Sequence, residues 1–507
     1  MVFLKDTILN KLQSNPVAQQ MLQFGNNIGN LFPNEEALCM ASAFMQDKQT
    51  RIVVKKNRYE AQQLYQRLKP LINDTLLFVM EESLRVQAIA SSPEDKQEQL
   101  YVLTQLVKED KPRIIVCNTA AFLRYLPDKE LFKSLCFKFE VDQEITIAEL
   151  KQKLNRAGYT KVNYVDRPCT YASRGGIVDV YCLEYEHPIR IEFFDTVIES
   201  IRLFHEETQR TIQTIDSVLI NPATDLLFTD DQIEYLQKEI DSELEKQQAK
   251  LIQDDYDFLL DYIEKDKISI ENYDIDPHLY IYFSYLNANK LTDYVNGHII
   301  FSSQEEVESG YKKLNEETIS FIQEMVESHQ YLPKYGMFHD IFTFEKEHTI
   351  QMFHDFLDFK HPISSKIETK KKSDQPLIQI LENLKGENIY ISLDEEHTKK
   401  VQEALKAYSI HRNIKFIEDD FYEGFTYEDI SVYTQQELFH HPSQIKRYQK
   451  TFKQGQILQN ILELEPNDYV VHEQYGIGQY VGITTRKIKG KTLDYLHVLY
   501  NGGDELF

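Results

Sequence analysis

Short β-branched runs alternate with stretches of helical periodicity along this 507-residue chain, and no other feature restricts the fold as strongly. In the first part of the chain the β-branched runs are 51–56, 76–80 and 113–118, and helical periodicity covers 57–69 and 94–108. Strands that alternate with helices form parallel sheets whose faces the helices cover. The pattern therefore predicts an α/β unit.

A β-rich segment interrupts this unit at residues 137–222. Short alternating runs at 176–183, 188–194 and 198–204 predict strands, and residues 145–157 predict a helix at the entrance of the segment. We interpret the segment as an insertion into the α/β unit.

Helical and strand-like stretches alternate again after the insertion. Residues 230–270 are acidic and helical, residues 278–302 are strand-like, and residues 304–328 are helical. Residues 360–376 are typical of a linker or exposed loop, and the alternation that follows predicts a second, smaller α/β domain.

The predicted fold class is thus α/β and multidomain, with five segments. They are an α/β module at 1–136 and 222–350, the β-rich insertion at 137–221, a small α/β middle domain at 375–445, a basic helical linker at 446–466, and the start of a small β-barrel at 467–507.

Composition excludes several classes of protein. Lys and Arg number 56 and Asp and Glu number 81, so the net charge of −25 argues against gripping DNA phosphates through the overall field. The sequence has no apolar run of membrane-spanning length and no signal-peptide pattern, which favours a cytoplasmic location without a membrane partner. The five cysteines form no C-x-x-C pair and the 15 histidines show no metal-ligand spacing, so we expect no metal site.

The strand that begins at Pro188 has two different faces. By alternation, Ile189, Ile191 and Phe193 share an apolar face, whereas Arg190, Glu192 and Phe194 share the other. Arginine beside an exposed aromatic residue is enriched at protein interfaces. The alternation alone favours an ordinary solvated surface, with Arg190 and Glu192 in solvent and Phe194 half-covered.

The residues around this strand carry a family resemblance. The motif Y-x-x-R-G-G-I-x-D-V from Tyr171, the run PIRIEFFD from Pro188 and EETQRT at 206–211 resemble the region shared by the repair helicase UvrB and the transcription-repair coupling factors. In those families this domain binds the damage-recognition protein UvrA. The resemblance implies UvrA contacts at Arg174, Arg190 and Phe194.

A second resemblance covers residues 467–507. The pattern D-Y-V-V-H, followed by G-I-G-x-Y and D-Y-L, is similar to the CarD-like, RNA-polymerase-interacting domain of the coupling factors. We expect Gly476 and Gly478 to permit a sharp turn between strands. The family presents a strand edge to the polymerase β subunit, here expected at 481–488 with contacts at Ile483, Thr484, Thr485, Arg486 and Lys487. Arg486 departs from the apolar residue that is frequent in the family, which leaves the detailed contact open.

The resemblance to UvrB also raises the question of ATP hydrolysis. A P-loop requires Lys-Ser/Thr after its glycines, but here Asn30 and Leu31 stand at that place and acidic Glu35 and Glu36 follow. The apolar strand expected to precede the Asp-Glu magnesium motif is followed instead by Ser302 and Ser303. We therefore predict a degenerate helicase-like module with no catalytic residues and no cofactor.

The resemblance implies an adaptor that links RNA polymerase stalled at DNA lesions to UvrA. The family's ATP- and magnesium-dependent motor, which also supplies most DNA contact, is expected to lie outside this chain. Two rival functions are an active UvrB-type repair helicase and a transcription regulator of the CarD type. The missing phosphate-binding lysine counts against the first, and the UvrB-like module counts against the second.

Overall fold

The structure is a computed structural model. It describes residues 4–23, 28–29, 31–81, 93–273, 276–334, 336–354, 363–371, 375–418, 421–439, 469–472, 476–488, 491–499 and 505–506. The chain divides into two compact units, residues 1–82 with 97–445 and residues 83–96 with 446–507.

The first unit is built on a parallel sheet of six strands. They are β1 (Ile28–Gly29), β2 (Arg51–Lys55), β3 (Thr75–Phe78), β4 (Ile114–Asn118), β13 (His298–Phe301) and β14 (Ile350–His354). Their order across the sheet is β1-β14-β13-β2-β4-β3. Every residue of β2, β3 and β4 is buried, as expected where helices cover both faces of a parallel sheet.

The first unit also contains helices that precede and follow the insertion in sequence. They are Leu4–Leu12, Pro16–Gln20, Pro33–Asp47, Arg58–Leu68, Pro93–Lys108, Thr119–Leu123, Lys129–Ser134, Asp230–Gln248, Gln253–Glu271, Leu291–Tyr294, Gln304–Glu327 and Ile341–Glu347. The predicted α/β alternation is therefore confirmed. Strand β3 lies at the edge of the sheet beyond β4, although in sequence it lies between β2 and β4.

The prediction of strand-like structure throughout 278–302 is wrong in its first part. Residues Pro277–Tyr285 form a 3₁₀ helix that begins after Asp276, whose side chain accepts a hydrogen bond from the His278 amide. Leu279, Tyr280 and Phe283 of this helix are buried. A continuous apolar run does not distinguish a buried strand from a buried helix, and here the surroundings decide.

The insertion begins and ends with a two-stranded antiparallel sheet, here called the neck, and its remaining strands form a second, six-stranded sheet. The neck pairs β5 (Phe137–Glu140) with β12 (Ser217–Ile220); the sheet contains β6 (Thr160–Lys161), β7 (Thr170–Arg174), β8 (Ile177–Tyr181), β9 (Ile189–Phe194), β10 (Val197–Phe204) and β11 (Thr211–Ile215). The order is β11-β10-β9-β8-β7-β6. All neighbours are antiparallel except β6 and β7.

The predicted helix at the entrance, Ile147–Arg156, packs on the inner face of this sheet. Its first turn is closed by a capping box in which the Thr146 side chain accepts from the Glu149 amide and the Glu149 carboxylate accepts from the Thr146 amide. Leu150 and Leu154 are fully buried in the core that also contains Ile189 and Ile191. The helix thereby fixes which face of the inserted sheet is left for solvent.

A mixed sheet follows in the middle part of the chain. Its strands are β15 (Glu368–Thr369), β16 (Asn388–Ser392), β17 (Ile414–Ile417), β18 (Phe425–Tyr427) and β19 (Ile430–Thr434), in the order β15-β18-β19-β16-β17, and its helices are Leu377–Glu382, Glu395–Ala407 and Gln435–Phe439. The predicted linker thus supplies the edge strand β15. Tyr390 shares a core with Leu9 of the first helix, whereas Ile391 packs with Leu381.

The second unit contains an antiparallel sheet formed by β20 (Tyr469–His472), β21 (Gly476–Ile488), β22 (Lys491–Leu499) and β23 (Glu505–Leu506), in that order. The described strands form an open sheet without barrel closure. Gly478 pairs with Val470 inside the ladder, and Gly476 pairs with His472, the last residue of β20. That the two glycines permit a sharp turn stays a prediction, because residues 473–475 lie outside the described residues. The predicted linker at 446–466 lies outside the described residues.

Candidate interaction sites and the ligand edge of the parallel sheet

Strand β9 has the two faces that its sequence predicts. Ile189, Ile191 and Phe193 are buried in the core of the insertion, Arg190 is partly exposed, and Phe194 is 74% exposed. This arrangement follows from the period of two in a strand whose inner face is covered by a helix. The outward face of β9 therefore belongs to the surface.

Arg190 is held on this face by a buried carboxylate. Its Nε donates to Asp179 Oδ1 at 2.7 Å and its Nη2 donates to Oδ2 at 2.8 Å, across the register that pairs β8 with β9. Asp179 is only 3% exposed, and its carboxylate raises the pKa of the Arg190 guanidinium. A bidentate ion pair of this kind fixes the plane of the guanidinium as well as its position.

Two further groups, together with Asp179, hold Arg190 in place, and we call this arrangement the clamp. The Gln209 side-chain carbonyl accepts from Arg190 Nη2 at 2.7 Å, and the buried ring of Phe204 lies 4.3 Å from the guanidinium carbon. Gln209 itself adopts a left-handed backbone conformation, with φ of 58°, and its side-chain amide nitrogen donates to the Glu206 carbonyl. The arginine is consequently oriented before any partner arrives.

Arg174 reaches the same carboxylate from the neighbouring hairpin. Its Nη2 lies 3.7 Å from Asp179 Oδ2, while its guanidinium carbon lies 4.3 Å from the centre of the exposed Tyr164 ring. The turn after Arg174 contains Gly175 with φ of 56°, and a Cβ on Gly176 would lie 3.0 Å from the Phe193 carbonyl oxygen. The glycine pair thus permits the tight turn between β7 and β8 and its close approach to Phe193 of β9.

Phe194 ends β9 opposite Val197, where Asp195 makes the turn with φ of 57°. It lies on the same face as Arg190, about 13 Å farther along the strand at the usual rise per residue. The structure therefore brings Arg174 and Arg190 together at Asp179 and leaves Phe194 as a separate apolar projection on the same face.

Four groups that organise this face were not predicted from the sequence: Asp179, Phe204, Gln209 and Tyr164. A signal existed for Asp179, because it is a lone carboxylate in the apolar run IVDVY. Gln209 and Tyr164 lie in connecting segments, whose contacts no periodicity predicts.

The expected polymerase contacts lie on β21. Residues Ile483 to Lys487 pair with residues 492–496 of β22, and on the opposite side β20 pairs only with residues 476–479. Among the described residues, the stretch from 480 to 488 therefore has no strand neighbour on that side. The predicted contacts of the side chains at 483–487 stay predictions, because the structure describes only the backbone there.

At the carboxyl edge of the parallel sheet, where α/β folds commonly bind ligands, three of the described residues are joined by hydrogen bonds. Glu36 is 2% exposed; its carboxylate accepts from Lys55 Nζ at 2.5 Å and from Ser302 Oγ at 2.8 Å. Lys55 ends β2 and Ser302 follows β13, so the pair connects two strands with the helix that follows β1.

The neighbouring Glu35 is engaged as well. It accepts from the Phe32 amide at 2.9 Å and from Ser365 Oγ at 2.6 Å. Both acidic residues that follow the degenerate P-loop position are therefore bonded within the protein.

Two other kinds of site are absent from the described residues. No group of three or more His, Cys, Asp or Glu side chains in this part of the chain has the geometry to hold a metal ion. None of the described helices is both long and apolar enough to cross a membrane.

Comparison with known proteins confirms the resemblance predicted from the motifs. Residues 137–226 match the UvrB interaction domain family, and residues 464–507 match the CarD-like/TRCF RID domain family. The chain is 29% identical to the transcription-repair-coupling factor of Bacillus subtilis (strain 168), over 90% of this chain and 42% of that protein. It is 27% identical to that of Staphylococcus haemolyticus (strain JCSC1435), over 94% of this chain and 44% of that protein. The chain thus spans less than half the length of these relatives.

The geometry predicts effects of different size on stability for two residues on the outward face of β9. Arg190→Ala should lower the free energy of unfolding by about 2 kcal/mol, because the buried Asp179 loses its two-pronged partner. Phe194→Ala should change it by less than about 0.5 kcal/mol, because the ring is mostly exposed. Urea denaturation followed by circular dichroism measures both values; equal losses for the two variants would contradict the clamp.

Proposed function

We propose that this chain is the adaptor part of a transcription-repair coupling factor, linking RNA polymerase stalled at a DNA lesion to nucleotide excision repair by recruiting UvrA. In this proposal the insertion binds UvrA, and β21 binds the β subunit of RNA polymerase. The observation that carries the proposal is the preorganised Arg190–Asp179 clamp beside the exposed Phe194, within the segment that matches the UvrB interaction domain.

The UvrA end is supported by the properties of the outward face. Phe194 offers an apolar anchor, and Arg174 and Arg190 place two guanidinium groups on the same side of the sheet. Binding energy at interfaces concentrates in aromatic and arginine residues that are fixed before the partner docks. Because Asp179 already orients Arg190, little side-chain entropy is lost when a partner binds.

The polymerase end is supported by the open edge of β21. A strand edge offers backbone N–H and C=O groups to an extended segment of another protein, which adds itself to the sheet. Residues 480–488 have such an edge among the described residues. The contact residues in this proposal are Ile483, Thr484, Thr485, Arg486 and Lys487.

The module built on the parallel sheet serves in this proposal as a scaffold related to a helicase half, without ATP chemistry. Glu36 places a buried carboxylate at the carboxyl edge, and Lys55 at the end of β2 forms an ion pair with it. ATP, magnesium and the main DNA contacts are assigned to no residue of this chain. The UvrB-type helicase alternative needs a free phosphate cradle at this edge, and the CarD-type regulator alternative leaves the match at 137–226 without a role.

Binding to purified UvrA tests the repair end. We expect Arg174→Ala and Phe194→Ala each to weaken binding by roughly 30-fold, as for interface anchors worth about 2 kcal/mol. Phe258→Ala is the matched control, because Phe258 is also an exposed phenylalanine, at 54%, on a helix outside the insertion. Isothermal titration calorimetry gives the affinities; a folded wild-type chain that does not bind UvrA would refute this end of the proposal.

Two proline substitutions test the polymerase end. Successive N–H groups of a strand point to opposite edges, so of Thr484→Pro and Thr485→Pro one removes a donor toward β22 and the other a donor on the open edge. We expect the variant that keeps its thermal unfolding transition to lose binding to RNA polymerase in a pull-down assay. Wild-type binding by that variant would exclude pairing through this edge.

Nucleotide addition tests the scaffold role. We expect millimolar ATP with magnesium to leave the melting temperature of the chain unchanged, whereas a ligand at about a hundred times its Kd stabilises a protein by about 2.7 kcal/mol. Phosphate release should equal the background of the buffer, with a known P-loop ATPase assayed in parallel. A saturable rise in melting temperature would contradict the assignment and favour the helicase alternative.

A further inference from the structure

The charges around Asp179 do not balance. Two guanidinium groups, those of Arg174 and Arg190, face one carboxylate. Arg190 forms short hydrogen bonds to both carboxylate oxygens, whereas Arg174 stays at 3.7 Å and its side chain is 48% exposed. Arg174 therefore keeps most of its capacity to pair with a negative group from outside.

Tyr164 lies over this same arginine. The centre of its ring is 4.3 Å from the Arg174 guanidinium carbon, although 64% of the residue is exposed. A ring at this distance attracts the cation through its electron-rich face and restricts the motion of the guanidinium. An exposed aromatic residue alone would be unremarkable, but here it is fixed on the more exposed and more loosely paired cation of the cluster.

The segment that carries Tyr164 is anchored to the sheet. The Val162 amide donates to the Tyr171 carbonyl at 2.8 Å, and Val165 packs with Ala172 and Tyr181 in a small apolar cluster on the outward face. Two anchors therefore flank Tyr164 in sequence. The ring is presented by a backbone that is already held, so its entropy cost on binding is small.

We propose that Tyr164 is a further contact residue of the UvrA-binding surface, and that its stack with Arg174 receives a carboxylate of UvrA flanked by apolar side chains. This inference rests on the proposed function of the insertion. The stack supplies the cation for the carboxylate and an aromatic face for the apolar neighbours. Arg190 contributes mainly a fixed part of the surface beside Asp179.

The test measures binding of Tyr164 variants to purified UvrA by isothermal titration calorimetry. We expect Tyr164→Ala to weaken binding roughly tenfold and Tyr164→Phe to change it by less than about twofold, because the ring and not the hydroxyl makes the stack. In a double-mutant cycle, Tyr164→Ala should reduce the binding affinity clearly less in a chain that already carries Arg174→Ala than in the wild-type chain. Binding of the wild type should weaken with salt more steeply than binding of Arg174→Ala.

Tyr408→Ala is the control, since Tyr408 is 56% exposed and follows the helix Glu395–Ala407, outside the insertion. If Arg174→Ala weakens binding and Tyr164→Ala does not, the inference fails while the proposed function stands. Loss of binding by Tyr164→Phe would also overturn the stack as the binding element. If a folded wild-type chain does not bind UvrA, the proposed function fails and the inference fails with it.

Discussion

One buried carboxylate organises the outward face of the inserted sheet. Asp179 lies in a strand whose neighbours Val178 and Val180 are fully buried, and it is 3% exposed itself. A carboxylate in such a place needs partners, because burying an unpaired charge costs several kcal/mol. Arg190 and Arg174 meet that need, and Gln209 and Tyr164 are placed against those arginines in turn.

This arrangement explains how an acidic chain can present a local cationic surface. With a net charge of −25, this chain repels an acidic partner at long range. Its positive groups can therefore attract such a partner only where they are concentrated and held in place. Glu192 illustrates the contrast, because it is satisfied within the protein by Arg202 and the Ser200 hydroxyl. Recognition at this surface would therefore depend on short-range geometry more than on net charge.

The alternation of Ile189, Ile191 and Phe193 was sufficient to predict the faces of β9, because a period of two is unambiguous when one side is buried. Periodicity failed at 277–285, where a continuous apolar run forms a 3₁₀ helix. The contact of Tyr164 with Arg174 joins a loop to a strand end. Such a contact depends on how the segments pack together, and local sequence patterns do not contain that information.

The two ends of the proposed adaptor offer different kinds of groups to their partners. The inserted sheet offers side chains that are already oriented, whereas β21 offers backbone groups along 480–488. Side chains confer specificity through charge and shape, and a strand edge confers affinity through repeated main-chain hydrogen bonds. In the module that carries the insertion, Glu36 accepts hydrogen bonds from Lys55 and Ser302 at the carboxyl edge of the parallel sheet, the edge at which many α/β folds bind ligands.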